Sequence, residues 1–126
     1  MSKKIIATSD APSAIGPYSQ AVLAGNTLYC SGQIAINPAT GELVIDTIAV
    51  ETEQVMTNIG AVLKAADMDF DNVVKCSIFM SSMDHYAAIN EVYARYFTSN
   101  PPAREAVAVK TLPKEVNVEI TVTAVR

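Results

Sequence analysis

The chain is poor in the residues that metal, phosphate and thiol chemistry depend on. It has one histidine, no tryptophan, two cysteines and five glycines in 126 residues. With His85 alone, neither a multi-histidine metal centre nor a nuclease built on a histidine pair can form within one subunit. At the start of a helix, His85 reads as an exposed side chain. The glycines are scattered, and no glycine-rich phosphate loop leads into a helix. Cys30 and Cys76 stand in strand-like segments without metal-ligand spacing, which points to buried, reduced thiols rather than a disulfide or a nucleophile. No apolar stretch reaches the roughly 18 residues of a membrane span, and the Lys3-Lys4 start leads into no secretory apolar block. The expected compartment is the cytoplasm. Charged residues are only 17% of the chain and the net charge is −4, so there is no general attraction to nucleic acid or anionic membrane.

Hydrophobic residues make up 50% of the sequence, which excludes a disordered chain and suggests that some uncharged surface meets another subunit. The length fits one domain over residues 1–126, with no repeat and no break in composition. Residues 21–24 and 27–31 flank Gly25-Asn26, a pair suited to positive φ, and read as a tight hairpin ending at Ser31 and Gly32. Turn chemistry fills Asn37-Pro38-Ala39-Thr40-Gly41, expected to cap an edge of the sheet. Over residues 48–66, Val55, Ile59, Val62, Leu63 and Ala66 recur at helical spacing, while Glu51, Glu53, Gln54, Asn58 and Lys64 fall elsewhere. Asp46 or Thr47 would cap this helix, and Glu51 and Glu53 would favour the positive end of its dipole. Residues 73–80 read as a strand with Val74, Cys76, Ile78 and Met80 on one side. A second helix starts near Asp84 with Tyr86, Ile89, Tyr93, Tyr96 and Phe97 on one face, an aromatic stripe whose default meaning is core packing.

Two charged residues near the end of the chain point to chemistry. Arg104 follows Pro101-Pro102-Ala103, whose rings stiffen its approach, and its guanidinium offers a rigid fork of donors that matches a carboxylate. Glu119 lies in a strand where Val116, Val118, Ile120 and Val122 alternate with Asn117, Glu119, Thr121 and Thr123, so it sits on the face away from the helices. In the preceding strand, Arg104 shares a face with Ala106 and Ala108, small neighbours that leave room for a ligand or a second subunit. Two helices cover one face of such a sheet. The expectation is that Arg104 and Glu119 converge on one cavity over the polar, alanine-lined face.

The segments Ile15-Gly16-Pro17-Tyr18, Ser31-Gly32-Gln33-Ile34, Asn37-Pro38 with Thr40-Gly41, Asn90-Glu91-Val92-Tyr93, Pro102-Ala103-Arg104, Leu112-Pro113 and Val118-Glu119-Ile120 span nearly the whole chain. In this order they resemble the RidA family, the reactive intermediate (enamine/imine) deaminases. The resemblance implies an α+β, chorismate-mutase-like fold of the bacillus type. It would have a mixed, mostly antiparallel sheet with two helices on one face, assembled as a homotrimer with pockets at the subunit junctions. It implies hydrolysis of 2-imino acids such as 2-iminobutanoate and 2-iminopropanoate to 2-oxo acids and ammonia, with no cofactor and no metal. Arg104 would bind the substrate carboxylate and Glu119 would manage the water. Tyr18, Ser31 and Gly32 would shape the pocket, Asn90 would support by hydrogen bonding, and the main chain near Ala106 would accept from the protonated imine. A noncatalytic trimer that binds small carboxylates or a partner protein is the alternative, and an endoribonuclease or translation inhibitor is a third.

The sequence departs from the family pattern at Asp67, where glycine is common, at Glu105, at Ala106, where some members carry cysteine, and in the short loop over residues 98–102. Ala106 argues against an obligatory thiol. Glu105 should face away from Arg104, although a strand starting one residue later would let it neutralise the clamp.

Overall fold

The computed structural model describes residues 2–126. The elements run β1 (Lys3–Ile6), β2 (Ala21–Ala24), β3 (Thr27–Cys30), α1 (Ile48–Ala65), β4 (Val73–Met80), α2 (Tyr86–Ala94), β5 (Ala103–Ala108) and β6 (Val118–Val125). They form one six-stranded sheet in the order β1-β2-β3-β6-β4-β5. Only β4 and β5 pair in parallel, which fits a mixed, mostly antiparallel α+β architecture. None of the helices among the described residues is long and apolar enough to cross a membrane.

Period-two patterning builds the centre of the sheet. On β6, Val118, Ile120, Val122 and Ala124 are buried, and β4 sets Met80, Ile78 and Cys76 directly opposite the first three. Val55, Met56, Ile59, Val62 and Leu63 of α1 cover this face. Thr47 starts the helix, its hydroxyl accepting from the Val50 N–H at 3.1 Å. At the other end the N–H of Met68 bonds the Leu63 carbonyl and that of Asp67 bonds Lys64, a Schellman closure with buried Met68 against Leu63. Asp67 takes φ 58°, where glycine would sit without strain, so the aspartate costs about 1 kcal/mol.

Four expectations change. Val74 is exposed, because an irregularity between Val73 and Lys75 turns it outward and Val73 takes the buried place. The 37–41 turn closes on its own small bridge, Ile36 to Leu43, and the sheet edges are β1 and β5. Glu51 and Asn58 of α1 are fully buried rather than solvated. The fourth concerns β5. Its parallel register with β4 puts Arg104 opposite Cys76, Ala106 opposite Ile78 and Ala108 opposite Met80. These are inward positions, so Arg104 lies on the helix side of the sheet. Glu119 pairs with outward Phe79 on the other side.

Candidate active site in two halves

The helix-side half is built by α2 against the edge strand β5. Tyr86, Asn90 and Tyr93 fall at successive helical turns on one stripe. Arg104 donates from one terminal nitrogen to Asn90 Oδ1 and from the other to the Tyr86 hydroxyl, both at 2.7 Å. Its guanidinium carbon stands 4.9 Å from the Tyr93 ring centroid and 5.6 Å from that of Tyr86, within cation–π range. The fork is therefore oriented before any ligand arrives, and two of its five donors are engaged. Beside it opens a hollow walled by Phe97, Pro101 and Pro102. Ala106 lies two residues on along β5, on the same side.

Glu105 points to the opposite face. It pairs with Lys75 at 2.8 Å and accepts from the Ser77 hydroxyl, contacts that hold its carboxyl below the usual range. The Arg104 guanidinium is not neutralised by its neighbour. Under Arg104, the Cys76 thiol is buried and its pKa is raised, while burial pushes Cys30 up to about 12. Both cysteines are free and unsuited to act as thiolates. The Tyr93 hydroxyl faces Cys76 without a hydrogen bond of good geometry.

The open-side half is shaped by backbone. Gln33 and Ile120 exchange N–H···O bonds at 2.9 and 3.1 Å, drawing the chain after β3 alongside β6. This brings Gly32 against Glu119. A Cβ on Gly32 would lie 2.5 Å from Glu119 Oε2 and 3.0 Å from Thr121 Oγ1, so the close approach requires glycine. Glu119 and Gly32 border a hollow of about 170 Å³ together with Tyr18, Ile34, Pro113 and Lys114. Burial pushes the Glu119 pKa up. Ser31 does not present its hydroxyl to the hollow: it donates to the Ser19 carbonyl at 2.6 Å, and the Ser31 N–H bonds Gln20. It thereby fixes the segment that carries Tyr18. Gln20, itself buried, pins the incoming chain through Thr8, Ala11 and Pro12.

One protomer thus brings Arg104 together with Asn90, on the side of Ala106, and Glu119 together with Gly32 and Tyr18. It does not bring the two sets into one cavity. Tyr86 and Tyr93, read from sequence as core aromatics, hold the guanidinium, and the signal for this was their spacing about Asn90. His85 is half-buried rather than exposed.

The fold and its element order place the chain among small α+β proteins with a mixed sheet backed by two helices. Residues 8–126 match the family model described as endoribonuclease L-PSP. The chain is 50% identical to the bovine 2-iminobutanoate/2-iminopropanoate deaminase, covering 98% of this chain and 90% of that one. The human protein of the same name is 46% identical over the same shares. Among solved structures, RidA from an Antarctic Psychrobacter superposes with TM-score 0.93 at 40% identity, covering 98% of this chain and 99% of that one. The E. coli YjgF gene product gives 0.93 at 41% identity, with 98% of both chains covered. The chain belongs to the RidA family, the group that this model describes.

Proposed function

We propose that the protein is a deaminase of 2-iminobutanoate and 2-iminopropanoate, acting in the cytoplasm on imines released by dehydratases. Its oriented guanidinium is the observation that carries this reading. Arg104, fixed by Asn90 and Tyr86, keeps donors free for a small carboxylate, a charge-assisted contact worth about 1.5–3 kcal/mol. With the carboxylate held, the imine carbon is presented to a positioned water. Glu119 orients that water and accepts its proton as oxygen bonds to carbon. Starting from the protonated imine, the neutral carbinolamine so formed receives that proton on nitrogen; the C–N bond breaks as the C=O bond forms, ammonia leaves, and Glu119 takes the hydroxyl proton to release the 2-oxo acid. A raised pKa suits a carboxylate that must both take and return a proton.

The two halves require more than one protomer. Arg104 on the helix side of one chain would meet Glu119 on the open side of the next. Such a head-to-tail contact makes a ring when its rotation closes. The family resemblance makes the ring a homotrimer. Support comes from the open sheet face, where Ile5, Tyr29 and Val107 are exposed at 52%, 56% and 43%.

To test the activity, 2-iminobutanoate is generated in situ by a threonine dehydratase and trapped with semicarbazide. The protein should suppress trapping, and Arg104→Ala should lose at least about tenfold of that activity while remaining folded. Undiminished suppression by the variant would refute the clamp.

A further inference from the structure

Outside the two half-sites the molecule buries one carboxylate completely. Glu51, in the first turn of α1, has no solvent exposure. A buried carboxylate must be met by donors, and all of those found for Glu51 come from one short stretch of chain. Oε2 accepts from the N–H of Asn117 at 2.8 Å and of Val118 at 3.3 Å, and Oε1 accepts from Asn117 Nδ2 at 2.8 Å. Asn117 in turn accepts through Oδ1 from the Ser81 hydroxyl at 3.2 Å and through its carbonyl from the Ser81 N–H at 3.0 Å. The next residue after this clamped pair is Glu119.

The chain entering the clamp is strained. In the turn Pro113–Glu115, Lys114 and Glu115 take φ 54° and 56°, the left-handed region that non-glycine residues avoid. Pro113 and Lys114 are also one wall of the Glu119 hollow. Two helical turns further along α1, fully buried Asn58 donates to the carbonyls of Ile34 at 3.2 Å and Ile36 at 2.9 Å and accepts from Gln54. Ile34 and Ile36 line the same hollow from the other side. An apolar helix face would have served the core at no desolvation cost. These polar side chains instead bind the backbone on both sides of one acid.

We propose that Glu51 is a positioning residue for Glu119, holding the strained turn and the first residues of β6 so that the Glu119 carboxylate faces Gly32 in register. Asn58 performs the same task for the opposing wall. The inference rests on the reading of Glu119 as the group that handles water.

The test compares Glu51→Leu, Glu51→Gln, Val55→Ala and Glu119→Gln in the trapping assay, each below its own melting temperature, with Kd for 2-oxobutanoate measured by calorimetry. Val55 is a buried neighbour on the same helix and lines neither hollow, so its variant should melt lower yet keep kcat. Glu51→Leu should lower kcat roughly 10- to 100-fold, the scale of a small misplacement of a reacting group. Its Kd should stay near wild type, because Arg104 is untouched. Glu51→Gln should recover most of kcat, its amide oxygen accepting from the N–H groups of Asn117 and Val118 while the Asn117 amide turns over to accept from the new NH2 and donate to the Ser81 hydroxyl. A folded Glu51→Leu with wild-type kcat overturns the inference. So does a loss of kcat no larger than that of Val55→Ala. If Glu119→Gln is inactive while Glu51→Leu is fully active, only the positioning role falls; if Glu119→Gln keeps full activity, the reading of Glu119 falls and this inference with it. Should Glu51→Leu fail to fold, Asn117→Ala decides: it removes the side-chain half of the clamp, and a several-fold lower kcat supports the role while wild-type kcat overturns it.

Discussion

The two faces of the sheet make their half-sites by different means. On the helix side, Arg104 is held by side chains: an amide, a hydroxyl and two aromatic faces, all projected from one helix. On the open side, Glu119 is held by backbone: a paired segment at Gln33, a missing Cβ at Gly32 and the anchored start of β6. A binding group needs a fixed direction, which side-chain hydrogen bonds supply. An acid-base group needs a restricted environment, and close backbone with partial burial supplies that.

Three substitutions sharpen this contrast. The largest effect is expected from Glu119→Gln, which removes the proposed acid-base group and should lower kcat by about 100-fold or more. The same variant has a stability signature. Because burial raises the folded-state pKa of Glu119, the folded chain holds that proton to a higher pH than the unfolded chain does. The ionised carboxylate therefore weakens the fold. The penalty is absent below the ordinary carboxylate range, grows as pH rises toward the raised value, and is complete above it. Glu119→Gln should melt higher than the parent at neutral pH and lose that advantage in acid, measured by thermal denaturation across pH.

Gly32→Ala comes next. The added methyl would crowd the end of the Glu119 side chain at 2.5 Å, a flexible group that can move aside. The fold should survive while activity falls roughly tenfold as the carboxylate turns away. Tyr86→Phe should be the mildest, since the ring stays over the guanidinium and only one acceptor is lost. An increase of roughly threefold in the Kd for 2-oxobutanoate is expected, with kcat nearly unchanged. A larger effect from Tyr86→Phe than from Gly32→Ala would invert the division of labour between the faces.

Much of the fold was legible where one face of an element meets the core and the other meets water. The Gly25-Asn26 hairpin, the Val73–Met80 strand, the α1 helix and the alternation on β6 all follow that rule. The face of β5 was not legible. Ala103–Ala108 is a parallel edge strand with no clear period of its own, and its orientation is set by the register with β4, a nonlocal fact. The four-residue β1, opening on two lysines, left no strand signal. The burial of Glu51 and Asn58 was not legible because their partners lie 66 and 22 residues away in sequence. Yet Glu51, Gln54 and Asn58 recur at helical spacing beside the apolar stripe, and that recurrence was the available sign.

The site residues read from the sequence fall into two coherent groups, and the expectation that Arg104 and Glu119 share one face of the sheet gives way to halves on opposite faces. The direct test is subunit complementation. Arg104→Ala and Glu119→Gln chains, each inactive alone, are mixed under conditions that exchange subunits and assayed for suppression of semicarbazide trapping. If each site draws Arg104 from one chain and Glu119 from its neighbour, random mixing in equal amounts should restore about a quarter of the wild-type sites. Mixed assemblies that form but regain no activity would contradict the account.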